Sequence, residues 1–180
     1  MINDLIYETQ STEGDWLLGR ANARVTILEY ADFTCPYSAM ARPVLESLVD
    51  EYPDSVHLIF RHFPMTNRQR KSSLAAEAAE AAGAQGRFWQ MHDMLFAHQD
   101  QLQFENLRSF ARLVHLDGEQ FVHDLMAHRF RDKVQRDLLS GLQDGVKGTP
   151  SLFINRQRYE GPIDRASVLS AVAAQLHSAA

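Results

Sequence analysis

The sequence has a single cysteine in 180 residues, Cys35, so no disulfide can form within the chain. It lacks an apolar run long enough to span a bilayer, and it has no dense block of lysine and arginine. Together with a net charge of −5, these absences argue against nucleic acid and anionic membrane surfaces as partners. A lone cysteine fits a reducing compartment.

The N-terminal residues 1–15 have no basic segment followed by an apolar one, so they do not resemble a signal peptide. We therefore expect a cytoplasmic protein, or a periplasmic one if a leader has been removed. Apolar residues make up 45% of the chain, which suits one domain, with or without a large insertion.

A strand–helix–strand unit is predicted in the first third of the chain. Residues Val25–Phe33 begin with β-branched and apolar side chains and predict a buried strand. Cys35 and Pro36 follow directly and open a helix, which Pro43 should kink. The alternating, β-favouring residues Ser55–Phe63 predict a second strand, parallel to the first.

Residues 67–143 carry helical periodicity and no strand signal, so an all-helical block is expected there. The segments SLFI and QRYE on either side of Asn155 and Arg156 predict a β-hairpin. Asp164 is placed to cap a final helix.

Four segments in this order carry a resemblance to a known family: VTILEYADFTCPYS, RHFPM, AAEAAEAAGAQGRFWQMHDMLF and GVKGTPSLFINRQRYEGP. The chain resembles the DsbA-like branch of the thioredoxin superfamily. The resemblance implies an α/β thioredoxin fold with an inserted helical domain. Residues 1–66 and 144–180 would be the two parts of the thioredoxin-fold domain, and residues 67–143 the insertion. It also implies a cis Thr149–Pro150 peptide that faces Cys35.

The chemistry centres on Cys35 at the start of a helix. Unpaired N–H groups and the positive end of the helix dipole favour a negative charge there, so they favour the reactive thiolate. Ser38 stands where most relatives carry a second cysteine, and its hydroxyl can donate a hydrogen bond to the thiolate. Ser38 is either native or an engineered change from cysteine.

Other candidate site residues flank Cys35 in the predicted fold. We assign Pro36, Tyr37, Thr149 and Pro150 to substrate binding. A cis proline offers no N–H, so the backbone of the residue before it stays free to pair with an extended substrate.

Glu29 is a further candidate, on the first strand and six residues before Cys35. The resemblance implies that an acidic residue at this position lies beneath the active site and helps to move protons. Burial there would raise its pKa, whereas the alternative is a glutamate that faces solvent.

No metal site is predicted, because the eight histidines show no i, i+4 pairing and no nearby cysteine set. His92, His98, His123 and His128 are expected to be solvated or core residues. His62, just after the second strand, is the histidine whose position could approach the site.

With one sulfur, attack on a disulfide gives a mixed disulfide that the chain cannot resolve internally. The leading hypothesis is a thiol–disulfide oxidoreductase of the protein disulfide isomerase type, with protein or peptide thiols and disulfides as partners. It would need no cofactor, and an outside thiol such as glutathione would be its co-substrate. One alternative is a kappa-like glutathione transferase, in which a serine takes the position of Cys35. Another is a non-catalytic, peptide-binding module with the thioredoxin fold.

Overall fold

A computed structural model describes residues 14–65 and 69–178. The strands are β1 Trp16–Gly19, β2 Val25–Ala31, β3 Val56–His62, β4 Ser151–Ile154 and β5 Gln157–Tyr159. The helices are α1 Pro36–Glu51, α2 Gln69–Gly83, α3 Phe88–Ala97, α4 Phe104–Leu113, α5 Gly118–Met126, α6 Arg131–Gln143 and α7 Arg165–Ser178. None of the described helices combines the length and apolarity needed to cross a membrane.

The five strands form one sheet in the order β1-β3-β2-β4-β5. Strands β2 and β3 pair in parallel, and helix α1 connects them in the chain. This confirms the predicted strand–helix–strand unit. The other three pairs are antiparallel. Helices α2–α6 lie between β3 and β4 in the chain, so the helical insertion is confirmed. Its predicted start at residue 67 lies outside the described residues, and the division into domains stays a prediction.

Two features of the sheet differ from the sequence prediction. Strand β1 was not predicted, because its four residues, WLLG, are too few to show alternation. The predicted strand β3 is present, but all seven of its residues are buried despite the alternation in its sequence. Helix α1 packs against Leu58 on one face of β3 and α6 packs against Ile59 on the other, so its polar residues are buried with its apolar ones.

Helix α1 packs on one face of the sheet through Ala41, Leu45 and Leu48, which share a core cluster with Ile27 and Leu58. The helix continues through Pro43, so this residue does not end it. The kink at Pro43 stays a prediction.

The insertion shares its core with the loop that precedes α1. Alanines of α2 pack with Phe88 and Phe96 of α3, and the same cluster includes Phe33 and Phe60. The Phe33 ring lies 4.8 Å from that of Phe96 and 5.4 Å from that of Phe60. At the C-terminal end of α2, Gly83 packs against Trp16. A Cβ atom at position 83 would lie 2.2 Å from the Trp16 ring, so a larger residue would not fit without a shift.

The C-terminal predictions are confirmed. Strands β4 and β5 form the hairpin, and Asn155 and Arg156 adopt positive φ angles of 46° and 69°, as a two-residue turn requires. Asp164 accepts hydrogen bonds from the backbone N–H and hydroxyl of Ser167, so it caps α7.

Candidate functional site

The thiol of Cys35 lies at the N-terminus of α1, where Cys35 is the N-cap residue and Pro36 begins the helix. No described side chain caps this end, and the first turn has no acidic residue. The positive end of the helix is therefore left facing the sulfur. The half-buried Cys35 Sγ donates a hydrogen bond to the Thr149 carbonyl at 3.1 Å, and the Thr149–Pro150 peptide is cis. Both features confirm what the resemblance implies for this loop.

Asp32 builds the tight loop that leads into Cys35. One carboxylate oxygen accepts from the N–H and hydroxyl of Thr34 at 2.7 and 2.9 Å, and the other accepts from the Met65 N–H at 2.9 Å. The Asp32 carbonyl accepts from the Cys35 N–H at 2.9 Å. This role was not predicted. The signal for it was an aspartate directly after a strand, where its side chain favours a turn.

The first turn of α1 presents one buried and several exposed side chains. Ser38 is fully buried, and its Oγ accepts from the Asp32 N–H at 3.5 Å. Within the described part of the chain, no hydrogen bond joins Ser38 to the Cys35 sulfur. Pro36, Tyr37 and Met40 face solvent, with Tyr37 69% and Met40 68% exposed. Exposed apolar side chains therefore follow Cys35 in the first turns of α1.

Glu29 lies on β2 and is completely buried, so the alternative of a solvent-facing glutamate is wrong. Its Oε1 has no hydrogen-bond partner among the described residues. Burial, with a smaller contribution from the charge of Glu46, raises the pKa of Glu29 to about 8. Glu29 is therefore protonated at neutral pH.

Among the described residues, no histidine forms a hydrogen bond with the Cys35 sulfur. His62 is buried behind Phe33, 5.8 Å between ring centroids, and its Nε2 lies 2.9 Å from a Glu80 oxygen. His92 is a core residue, as expected, and burial lowers its pKa. His98 is half-buried against the Phe110 ring. His123 is exposed, and His128 pairs with Glu77.

Two clusters bring three possible metal ligands within 4.8 Å of one another: Glu46 with His92 and Asp93, and His62 with Glu80 and Asp137. Each already contains a protein cation. Arg42 Nε lies 3.0 Å from Glu46 and 3.3 Å from Asp93. Lys133 Nζ lies 2.7 Å from both oxygens of Asp137 and 3.9 Å from Glu80. Both clusters are therefore explained as ion pairs.

A buried ionic network, not predicted from the sequence, joins the sheet to the insertion. Asp137 of α6, paired with Lys133, accepts from the His62 N–H of β3 at 3.1 Å. On the sheet side, Arg61 pairs with Asp15 at 2.8 Å and donates to the Tyr30 hydroxyl at 3.0 Å. Burial alone would raise the pKa of Glu80. The hydrogen bond and charge of His62, with Lys133 and Trp16, outweigh it and lower that pKa.

The fold and the site define a class of protein: a thioredoxin fold that presents a thiol at a helix N-terminus, opposite a cis proline. Residues 11–174 match a family model described as thioredoxin, and the chain belongs to this family.

Solved structures of DsbA-like proteins match nearly the whole chain. Oxidised BdbD from Bacillus subtilis superimposes with a TM-score of 0.83 at 22% identity, over 93% of this chain and 95% of that one. A thioredoxin-like oxidoreductase from Silicibacter pomeroyi DSS-3 gives a TM-score of 0.82 at 28% identity, over 94% and 95%. The predicted thioredoxin fold with a helical insertion is confirmed.

The curated relatives are longer proteins. The chain is 39% identical to the Na(+)/H(+) antiporter NhaA 3 of Salinispora tropica, over 92% of this chain and 25% of the relative. It is 37% identical to the Na(+)/H(+) antiporter NhaA 1 of Salinispora arenicola, over 88% and 24%. The chain thus spans about a quarter of the length of these relatives.

Proposed function

We propose that this protein is a monothiol thiol–disulfide oxidoreductase whose mixed disulfides are resolved by glutathione or a similar external thiol. The observation that carries the proposal is the placement of Cys35, half-buried at the uncapped end of α1 with its sulfur 3.1 Å from the Thr149 carbonyl. The positive end of α1 favours negative charge on the sulfur, the Thr149 carbonyl accepts from the thiol in the resting protein, and Tyr37 and Met40 of α1 are exposed.

The chemistry runs in two exchanges, written here for a glutathionylated substrate. The Cys35 thiolate attacks the glutathione sulfur of the substrate disulfide, and the substrate thiol leaves and takes up a proton. Cys35 now carries glutathione. A second glutathione, as its thiolate, attacks this mixed disulfide, which releases the Cys35 thiolate and oxidised glutathione. In the net reaction, one free glutathione replaces the substrate thiol in the disulfide, which gives the substrate thiol and oxidised glutathione, and no second cysteine is needed.

The neighbouring residues take supporting roles in this proposal. The backbone of Thr149, before Pro150, pairs with an extended substrate, and Pro36 and Tyr37 contact the substrate from α1. Ser38 holds the first turn of the helix through Asp32. Glu29, protonated at neutral pH, exchanges its proton with the buried side of the site and limits the negative charge near the thiolate.

A reducing compartment such as the cytoplasm would supply the external thiol. The relatives named Na(+)/H(+) antiporter contain a matching segment within a much longer chain. We therefore propose that a redox unit of this type acts on protein or peptide disulfides either alone or beside a transporter.

The test is turnover of a glutathionylated peptide with reduced glutathione in excess. The wild-type protein should catalyse deglutathionylation, and Cys35→Ser should not. A Cys35→Ser variant that still conjugated glutathione to an electrophile would support the kappa-like transferase instead. Absence of turnover, with peptide binding kept in Cys35→Ala, would support the non-catalytic module.

A further inference from the structure

One side chain of the helical insertion reaches the loop that carries the thiol. Gln99 lies in the turn after α3 and is half-buried. Its Nε2 donates to the Phe33 carbonyl at 2.8 Å and to the Cys35 carbonyl at 2.9 Å. Because both partners are acceptors only, the –NH₂ end of the amide must face the loop, and both of its hydrogens are used.

These bonds fix the direction of a peptide group next to the sulfur. The peptide between Phe33 and Thr34 is held at both ends, since its carbonyl accepts from Gln99 and its N–H donates to Asp32. The Cys35 carbonyl, which also accepts from the Ala39 N–H in α1, is held by the same amide. Two carbonyl dipoles are thereby bound to a donor and cannot turn freely towards a thiolate.

The same part of the insertion also holds the Phe33 side chain. The Phe96 ring, near the end of α3, packs 4.8 Å from the Phe33 ring. The ring and the carbonyl of Phe33 are therefore both anchored to the insertion within a few residues of chain. Among the described residues of the insertion, Gln99 is the one whose side chain forms a hydrogen bond with the Cys35 backbone.

We propose that Gln99 is a positioning residue that couples the helical insertion to the reactivity of Cys35. It holds the loop so that the sulfur meets the N-terminus of α1, and its amide donors offset negative charge at the loop carbonyls. This inference concerns the site of the proposed thiol exchange and rests on that function for its biological meaning.

The test follows alkylation of Cys35 by iodoacetamide against pH, a reaction that needs no exchange activity. Gln99→Ala should slow alkylation about fivefold below its pH midpoint, and it should move the midpoint up by roughly 0.7 pH units, because two hydrogen bonds are lost. Gln99→Glu should have a larger effect in the same direction, since a carboxylate has no donor and adds a negative charge. Gln101→Ala, at an exposed glutamine two residues away, is the matched control and should match wild type.

A purely structural role would lower stability and leave the pH midpoint where it is, so an unchanged midpoint in both Gln99 variants overturns the proposal. Gln99→Met keeps the side-chain length without the amide, and it replaces Gln99→Ala if that variant unfolds by circular dichroism. Wild-type alkylation without deglutathionylation would contradict the proposed function and leave the Gln99 comparison intact. The reverse pattern, turnover with no Gln99 effect, would contradict only the role of Gln99.

Discussion

Buried ionisable side chains on the sheet and on helix α6 differ in whether they have a partner. Arg61 of β3 is paired with Asp15, and Lys133 is paired with Asp137 within α6. On β2, close to α1, Glu29 is equally buried, yet its Oε1 has no partner among the described residues.

The presence or absence of a partner decides whether a buried acid stabilises the folded state. A paired carboxylate keeps its charge, and removing its partner leaves an uncompensated ion. An unpaired one stays protonated and costs stability wherever the pH would otherwise ionise it. The buried Glu29 carboxyl, whose Oε1 has no partner among the described residues, lowers stability instead, a pattern typical of residues kept for function.

The largest effect is expected from Glu29→Gln, which removes the unpaired acid. The pKa of Glu29 is about 8 in the folded state against an ordinary 4.5, so ionisation favours the unfolded chain as the pH rises between these values. The variant should gain at most about 5 kcal/mol of unfolding free energy above pH 8, and nothing below pH 4. Urea unfolding across pH measures this, and a gain that does not depend on pH would contradict it.

Two comparisons sharpen that result. Glu160→Gln, at an exposed glutamate, should leave the pH dependence unchanged. Glu80, whose pKa is lowered, acts in the opposite sense, because its stabilisation is present above its ordinary range and is lost as the pH falls.

Lys133→Met removes the cation of a buried ion pair. It leaves Asp137 buried without its cation, so we expect a loss of about 3 kcal/mol in unfolding free energy. Alkylation of Cys35 should keep its wild-type pH profile, since the described bonds of Lys133 and Asp137 do not involve Cys35. Lys71→Met, at an exposed lysine, is the matched control. A full-stability Lys133→Met protein would show that the network is not structural.

Ser38→Cys would add a second sulfur to the reactive side. On oxidation, the introduced thiol should form a disulfide with Cys35 that adds about 2 kcal/mol, because the closed loop is short. Thiol counting and intact mass measure the bond, and the glutathione adduct of Cys35 should become short-lived. Two free thiols after oxidation would mean that the first turn of α1 does not have the geometry described.

The smallest change in unfolding free energy is expected at an exposed ion pair, which serves as a reference for the buried pairs. Arg108 pairs with Glu105 at 3.1 Å on the surface of α4. Arg108→Ala should change the unfolding free energy by about 0.5 kcal/mol or less, because water and salt screen the pair. A loss as large as that of Lys133→Met would remove the distinction between buried and exposed pairs.

The sequence predicted the elements that carry local signals. The strand–helix–strand unit, the hairpin at Asn155 and the Asp164 cap all follow from residue patterns within a few positions. The cis Thr149–Pro150 peptide opposite Cys35 was available only through the family resemblance, because its partner is distant in sequence.

What sequence patterns could not predict depends on partners far apart in the chain. The sequence of β3 alternates, yet α1 on one face and α6 on the other bury all seven of its residues. The Lys133–Asp137 spacing fits an ordinary exposed helix pair, and only the packing of α6 on the sheet makes it a buried one. Gln99 carries no motif, and its bonds to the loop before α1 arise from the docking of the insertion.

The most direct test of the central claim is intact mass spectrometry of the protein after brief exposure to oxidised glutathione, followed by reduced glutathione. We predict one glutathione per chain, located on Cys35 by peptide mapping, and its complete removal in the second step. A chain that stays unmodified, or an adduct that reduced glutathione cannot remove, would contradict a reachable nucleophile resolved from outside.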